Sequence, residues 1–144
     1  MTRINFGVHP RELCDQHLIA EYKELPRAFS YHDRELAGPF RLNRGHVIWC
    51  SQFPGSLASR YRSLVSEMHA RGFHVSYPEP RGDGIKAPSH RLANARQIVT
   101  KRICERLADM SKEPRWTRRK PPNWARDALA GRSKKELDTK SLGL

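Results

Sequence analysis

The chain has 144 residues, enough for one domain with its own hydrophobic core and no need of cross-links. Its 27 Lys and Arg against 15 Asp and Glu give a net charge of +12, which indicates a polyanionic partner. Three widely spaced cysteines, Cys14, Cys50 and Cys104, argue against a disulfide framework, and no Cys or His pair has zinc-ligand spacing. No stretch is apolar over the ~18 residues that a membrane helix needs, so we expect a cytoplasmic protein that is not secreted.

The amino terminus is the first stretch that could take part in a chemical reaction. Thr2 is small enough for Met1 to be removed, which would leave a free α-amine next to the cation of Arg3. An α-amine has a reference pKa of about 7.7 to 8.0, so an appreciable fraction is neutral and nucleophilic near pH 7. Neighbouring cations lower that pKa further because they disfavour the protonated amine. On composition alone, however, Thr2 and Arg3 are an ordinary chain start.

A first helix is predicted after Asp15, whose carboxylate is a good N-cap. Apolar side chains then recur with helical spacing at Leu18, Tyr22, Leu25 and Phe29. The charged residues expected on the opposite face are Glu21, Lys23, Glu24 and Arg27. Pro26 lies inside this pattern and lacks a backbone donor, which predicts a kink or a break of the helix at that point.

Residues 30–53 have no periodicity and are predicted as a loop with at most a short extended piece at 46–49. A second helix is indicated by the stripe Leu57, Tyr61, Leu64, Val65 and Met68. Gly72 is predicted to end it in the left-handed conformation, with Phe73 packing back onto Met68. Residues 77–88 are rich in Pro and Gly and are predicted as another loop.

A third helix is predicted to be capped by Ser89, with its apolar stripe continuing to Met110. Basic residues follow, and among them Trp116 is expected to anchor on the core. We therefore predict an all-α fold, a compact single domain of three main helices with long loops and a basic C-terminal tail. The domain is expected to span residues 1–124, and the basic tail, partly disordered, residues 125–144.

One group of residues is more specific than these patterns. It comprises Met1-Thr2-Arg3-Ile4-Asn5, Leu13, Asp15-Gln16-His17-Leu18, Ala20-Glu21-Tyr22, Glu24-Leu25-Pro26-Arg27 and Phe29. Later in the chain come, in order, Gly45-His46-Val47, Arg71-Gly72-Phe73, Asn94-Ala95-Arg96 and Trp116. Together these stretches resemble the pyrimidine-dimer DNA glycosylases, the phage endonuclease V family, over roughly residues 2 to 116.

The resemblance implies a DNA repair enzyme without metal or cofactor, with DNA glycosylase and abasic-site (AP) lyase activities. The α-amine of Thr2 would attack the sugar C1′ of the 5′ nucleotide of the dimer and form an imine, a Schiff base. Glu24 would assist that step and the following β-elimination. The family kinks the duplex and flips out the base opposite the lesion. We therefore expect a monomer that acts on double-stranded DNA containing pyrimidine dimers or abasic sites, close to nucleoid or host-cell DNA and not at a membrane.

The resemblance also implies a set of DNA-binding residues: Arg3, Gln16, His17, Tyr22, Lys23, Arg27, Arg96 and Lys101. Lys23 stands where the best-known member has Arg, so the planar fork that binds phosphate in a bidentate manner is lost there. Lys101 is only an approximate counterpart of a backbone-binding residue. The connection from Ser30 to Gly45 is shorter than in that member, which leaves the lesion preference open.

Other interpretations of the same residues stay open. The charge alone fits a non-catalytic basic DNA-binding protein, and the chemistry fits an abasic-site lyase with another lesion preference. Without the resemblance, Glu24 is typical of a surface helix residue that pairs with a cation. His17 and His46 are typical of structural histidines. A metal-dependent nuclease is disfavoured, because the sequence shows no cluster of His and carboxylate ligands.

Overall fold

The computed structural model describes residues 3–28, 54–80, 86 and 94–131. A 3-10 turn, Pro10–Glu12, precedes α1 (Asp15–Ala28), α2 (Pro54–Ala70) and α3 (Ala95–Asp109), and a shorter helix α4 covers residues 123–131. These residues contain helices and no strand, so the prediction of an all-α fold is confirmed for the described part of the chain. The loop at 30–53 and its extended piece at 46–49 lie outside the described residues, and the helix count of the whole chain stays a prediction.

The core forms where α1, α2 and α3 bury their apolar faces against the segment that precedes the first helix. Fully buried side chains from the helices include Leu18, Leu25, Leu57, Leu64, Val99, Ile103 and Leu107. Ile4, Phe6 and Val8 of the amino-terminal segment join the same cluster. Because each such side chain contributes roughly 1.5–3 kcal/mol on burial, the segment is fixed in the core and carries Arg3 to one side of α1. No helix among the described residues is long and apolar enough to cross a membrane.

The beginning of α1 differs from the prediction. Asp15 is the first residue of the helix and not its N-cap. Its Oδ1 accepts hydrogen bonds from Nη1 of Arg71 at 2.8 Å and from the backbone nitrogen of Thr117 at 3.0 Å. The capping prediction is wrong because partners distant in sequence occupy this carboxylate, whereas a cap would use it for the helix's own first turn.

Of the kink or break predicted for α1 at Pro26, the break is wrong, since the helix runs on through Pro26 to Ala28, and the kink stays a prediction. Pro26 is exposed and lies in the last turn. The missing N–H therefore costs a single backbone hydrogen bond near a helix end, where the ladder is about to stop.

Glu21 was expected on the charged outer face, and that prediction is wrong because its side chain is fully buried. It lies three residues after Leu18 and four before Leu25, which places all three on one helix face. Its two carboxylate oxygens accept hydrogen bonds from Nε and Nη2 of Arg60 in α2, at 2.6 and 2.9 Å. The buried charge is thus neutralised by a bidentate partner on a neighbouring helix.

The end of α2 follows the prediction. Gly72 has a φ of +82°, the backbone nitrogen of Phe73 donates to the Met68 carbonyl at 2.9 Å, and that of Gly72 to the His69 carbonyl at 3.0 Å. These two bonds define a Schellman motif, and Phe73 packs against the core. The predicted left-handed ending at Gly72 is confirmed.

The predicted start of α3 is wrong. The helix begins at Ala95 after Asn94, which has a φ of 68° and makes no side-chain capping bond. Ser89, the expected cap, lies outside the described residues. The apolar pattern of the sequence begins before Ala95, so periodicity alone does not show where the helix starts.

The segment after α3 packs back on the core. Trp116 is half-buried against it and donates its indole N–H to the Glu12 carbonyl at 3.0 Å, which confirms the predicted anchor. Residues 123–131, which include the first part of the predicted tail, form α4, where Ala125 is fully buried. The domain boundary at residue 124 and the disorder of the last residues stay predictions.

Candidate active site

Two carboxylates of α1 hold the backbone of the amino-terminal segment. Oε2 of Glu24 accepts a hydrogen bond from the backbone nitrogen of Arg3 at 3.0 Å. Oε1 of Glu21 accepts one from the backbone nitrogen of Asn5, also at 3.0 Å. The backbone amides of Arg3 and Asn5, two residues apart, therefore bind carboxylates that lie almost one helical turn apart on α1. The amino-terminal segment thus runs along α1. Glu24 is half-buried and lies against the backbone that follows Thr2.

Thr2, the predicted nucleophile, lies outside the described residues. The side chain of Arg27 does too, although its backbone belongs to α1. Of the residues predicted to act at this end of the chain, the structure therefore brings together Arg3 and Glu24.

A residue that the sequence did not single out for function holds the same segment from the other side. Arg102 of α3 is buried and donates through Nη2 to the Ile4 carbonyl and, at 3.0 Å, to Oδ1 of Asn5. Nδ2 of Asn5 in turn donates to the Arg3 carbonyl at 3.0 Å and to Oε1 of Glu21 at 2.9 Å. The segment is therefore held between α1 and α3. The partners of Arg102 lie too far away along the chain for the spacing of residues in the sequence to indicate them.

A cleft of about 720 Å³ opens beside this segment. It is bounded by the amino-terminal segment, the first turns of α1, the carboxyl-terminal half of α3 and the residues that follow α3. Four cations contribute to its lining, Arg3, Arg102, Arg106 and Lys112, against two carboxylates, Glu105 and Asp109. The balance, four minus two, leaves an excess of two positive charges, which favours an anionic ligand.

His17 and Gln16 line the same cleft. Burial, together with the charges of Arg106, Arg102 and Arg3, lowers the pKa of His17 to about 4, while Glu21 opposes the shift. The imidazole is therefore neutral near pH 7 and acts there as a hydrogen-bonding group and not as a cation. Burial and the charge of Arg106 lower the pKa of Arg102 to about 10, while Glu21 and Glu24 oppose the shift, so Arg102 stays charged.

Two of the predicted DNA-binding residues also have internal partners. Nε2 of Gln16 donates to the Glu113 carbonyl at 2.8 Å, and its Oε1 accepts from the backbone nitrogen of Arg115 at 3.1 Å. The hydroxyl of Tyr22 accepts from the backbone nitrogen of Tyr77 at 3.2 Å, and its ring lies 5.6 Å from that of Tyr61. Both side chains therefore contribute to the fold as well as to the surface near the cleft.

The predicted cations on the outer faces of the helices are placed differently. Arg96, at the start of α3, makes a bidentate pair with Glu12, both bonds being 2.8 Å long. The hydrogen bond from Arg96 is the largest cause that lowers the pKa of Glu12 to about 2. Lys101 and Lys23 are exposed on α3 and α1. None of these three cations is among the described residues that line the cleft.

Within the part of the chain that the structure describes, no group of three or more His, Cys, Asp or Glu side chains is placed to hold a metal ion. The site combines the half-buried carboxylate of Glu24, a cation-rich cleft and the neutral imidazole of His17.

A protein-family model described as pyrimidine dimer DNA glycosylase matches residues 1–79. The match covers more than half of the 144 residues and includes the amino-terminal segment, α1 and α2. It therefore contains the contact between Arg3 and Glu24, whereas α3 and its arginines lie beyond it. A glycosylase of this kind acts on DNA, which agrees with the excess of positive charge. The chain belongs to the pyrimidine dimer DNA glycosylase family.

Proposed function

We propose that the protein removes pyrimidine dimers from ultraviolet-damaged duplex DNA by successive glycosylase and abasic-site lyase steps. The observation that carries this proposal is the 3.0 Å hydrogen bond from the backbone nitrogen of Arg3 to Oε2 of Glu24. That nitrogen is bonded to the carbonyl carbon of Thr2, so only the carbonyl and α carbons separate it from the α-amine. The carboxylate therefore lies close to the backbone that carries the proposed nucleophile.

In the first step the neutral α-amine attacks C1′ of the 5′ nucleotide of the dimer. The bond between C1′ and the base breaks, and its electron pair leaves with the base. The nitrogen loses one proton, and its lone pair then forms the C1′=N bond while the C1′–O4′ bond breaks. O4′ takes up a proton, so the sugar ring opens and leaves a protonated imine. A proton is then removed from C2′, the bond from C3′ to oxygen breaks, and the 3′ phosphate leaves. Glu24 stabilises the cationic intermediates and accepts or returns these protons.

The charges around the segment support an amine nucleophile. Burial and the charge of Arg3 lower the pKa of Arg106, which agrees with a positive potential at this side of the molecule. Such a potential favours the neutral form of an adjacent amine, while Glu24 offsets part of it. The same cations attract the DNA backbone, so binding and activation of the amine have a common source.

The proposed DNA contacts are the set named from the sequence. Arg3, Gln16 and His17 line the cleft, and Tyr22, Lys23 and Arg27 belong to α1. Arg96 and Lys101 belong to α3, and more than half of the Arg96 side chain (54%) is exposed despite its pair with Glu12. We further propose that the protein acts as a monomer on a kinked duplex with a flipped-out base. Its three main helices, long loops and basic tail are proposed to form one domain.

Trapping by borohydride tests the chemistry. Protein whose amino terminus is verified by mass spectrometry to be Thr2 is expected to form a stable covalent complex with dimer-containing DNA. Glu24→Gln should lower strand cleavage by roughly 10²- to 10⁴-fold and leave DNA binding intact. Glu113→Gln, an exposed carboxylate outside the site, is the matched control and should cleave like the wild type. Absence of a trapped complex from a chain starting at Thr2 would reject the proposal.

A second candidate is an abasic-site lyase with a different lesion preference. Lys23 favours it, because a lysine cannot form the bidentate phosphate contact of the arginine that it replaces. Cleavage of duplexes carrying either a pyrimidine dimer or an abasic site decides between the two. Comparable rates on both substrates support the dimer glycosylase, and cleavage of the abasic duplex alone supports the second candidate.

A further inference from the structure

Among the described residues, Tyr77 is the one large hydrophobic side chain that is exposed, with 75% of its surface in contact with solvent. It follows α2 in a segment where Phe73 and Val75 pack against the core and His74 between them is exposed. Continued alternation would turn Tyr77 inward, but the chain bends at Ser76 and Tyr77 stays outside. The alternation of the preceding residues therefore favours burial of this ring, and the fold exposes it.

Two tyrosines of the helices hold the backbone of Tyr77. The hydroxyl of Tyr61 in α2 donates to the Tyr77 carbonyl, and the backbone nitrogen of Tyr77 donates to the hydroxyl of Tyr22 in α1 at 3.2 Å. Burial and a hydrogen bond with Tyr22 raise the pKa of Tyr61 to about 12, so its hydroxyl remains a donor at neutral pH. Pro78 follows and restricts Tyr77 to extended conformations. The ring is thus presented on a fixed backbone, which lowers the entropy cost of binding a ligand.

This position is connected to the part of α1 that carries the proposed catalytic carboxylate. Tyr22, which accepts the hydrogen bond from Tyr77, lies two residues before Glu24 and directly before the exposed Lys23. Two residues correspond to about 3 Å along a helix, less than the ~3.4 Å between successive nucleotides of a strand. A duplex bound at Glu24 therefore extends past Tyr22 and the segment that it holds. The family match, over residues 1–79, also includes Tyr77.

We propose that Tyr77, held by Tyr22 and Tyr61, is a base-stacking residue whose ring packs against the face of an unpaired base in damaged duplex DNA. The inference rests on the proposed function, which brings the protein to duplexes with a flipped-out or unpaired base. Every base has a π face, so such a contact recognises the loss of pairing and not the sequence. Tyrosine suits this role because its large ring has few rotatable bonds to immobilise. The net charge of +12 favours a nucleic acid as the partner.

The first test measures binding and needs no reaction. The probe is a duplex with one stable abasic-site analogue, which leaves the opposite base unpaired, and an intact duplex of the same sequence is the control. Tyr77→Ala should weaken binding to the abasic duplex roughly 5- to 150-fold and leave binding to the intact duplex unchanged. Tyr77→Phe keeps the ring and should bind like the wild type. His74→Ala, at an exposed position of the same segment, should also bind like the wild type.

Two further measurements separate stacking from a loss of charge or of folding. Stacking neutralises no phosphate, so the slope of log K against log salt should be the same in Tyr77→Ala and the wild type. The contacts with Tyr22 and Tyr61 use the backbone of residue 77 and persist in Tyr77→Ala, so urea unfolding should be unchanged. A changed salt slope would overturn the assignment to a base.

The hydroxyl of Tyr61 tests whether the held backbone presents the ring. Tyr61→Phe removes the donor to the Tyr77 carbonyl and should weaken binding to the abasic duplex less than Tyr77→Ala does. When Tyr61→Phe is combined with Tyr77→Ala, the loss should equal that of Tyr77→Ala alone, because without the ring its orientation has no effect. Additive losses would overturn the role of Tyr61 in presenting the ring.

The remaining outcomes decide between this inference, other partners and the proposed function. Equal affinities of Tyr77→Ala and the wild type for the abasic duplex, or an equal loss on both duplexes, would overturn stacking. A wild-type dimer that Tyr77→Ala dissociates in sedimentation would also overturn it, because the ring would then contact a second copy. Borohydride trapping with no effect of Tyr77→Ala on affinity would reject stacking and retain the amine chemistry. Weaker abasic-duplex binding by Tyr77→Ala, with no trapping by the wild type, would do the reverse.

Discussion

Two buried arginines of this molecule have opposite surroundings. Arg71, at the end of α2, lies 2.8 Å from Oδ1 of Asp15 and 3.5 Å from Oε1 of Glu67. Arg102, in α3, donates to neutral oxygens of Ile4 and Asn5. The same side chain therefore neutralises carboxylates in one region, whereas in the other it holds the amino-terminal segment through neutral acceptors and lines the cationic cleft. The difference shows that the partners of a buried cation, and not its burial, decide whether its charge is neutralised by a direct ion pair within the fold.

The largest expected effect on stability concerns Arg71 and its two carboxylate partners. Arg71→Gln leaves the buried Asp15 and Glu67 without their shared cation, although Glu67 keeps Arg119 at 2.6 Å. Breaking a buried pair typically costs about 3–5 kcal/mol, so the free energy of unfolding in urea should fall by that amount.

The control for this change is Arg118→Gln, which removes an exposed arginine that donates to the Ala70 carbonyl at 3.3 Å. It should stay within about 0.5 kcal/mol of the wild type. If Arg71→Gln is equally mild, the carboxylates do not need their cation, and the distinction between the two regions fails.

An intermediate effect is expected from His17 in the cleft. Its pKa is 6.5 in the unfolded chain and about 4 in the fold, so the unfolded state takes up the proton first as the pH falls. Stability is therefore lost between pH 6.5 and about 4, by up to roughly 3 kcal/mol, and is unaffected above this range. His17→Gln should remove that part of the pH dependence of unfolding, whereas His74→Gln, at an exposed position, should not.

The titration of His17 also tests how positive the cleft is. An anion added to the solution and bound in the cleft would compensate the charges of Arg102 and Arg106, so it should raise the pKa of His17 measured by NMR. A pKa of His17 near its ordinary value without any anion would mean that the cleft is not strongly positive.

The smallest effect concerns the pair of Glu12 and Arg96. Because the pKa of Glu12 is lowered from 4.5 to about 2 in the fold, the pair stabilises the protein above pH 4.5, and this stability is lost as the pH falls through 2. Arg96 is about half exposed, so solvent screening reduces the expected cost of Glu12→Gln to about 1 kcal/mol at neutral pH. Urea unfolding should show no difference from wild type below pH 2. A difference that persists there would have another cause.

Much of the local structure could be predicted from the sequence. The apolar stripes of α1 and α2 and the left-handed ending at Gly72 depend on residues within one or two turns of each other. The start of α3 could not be predicted in this way, because the helix begins at Ala95 although the apolar pattern starts earlier. The family could be recognised because its most specific residues are contiguous near the amino terminus.

The sequence by itself therefore determined the helical class, the main helix positions and the family, all of which are encoded by neighbouring residues. The tertiary structure alone decided that Glu21 is buried, that Asp15 is not a cap and that Arg102 holds the amino-terminal segment. The partners in these contacts are 39, 56 and 98 residues apart in the chain. No local pattern encodes such distances, because the free energy of a buried charge depends on which group the fold places against it.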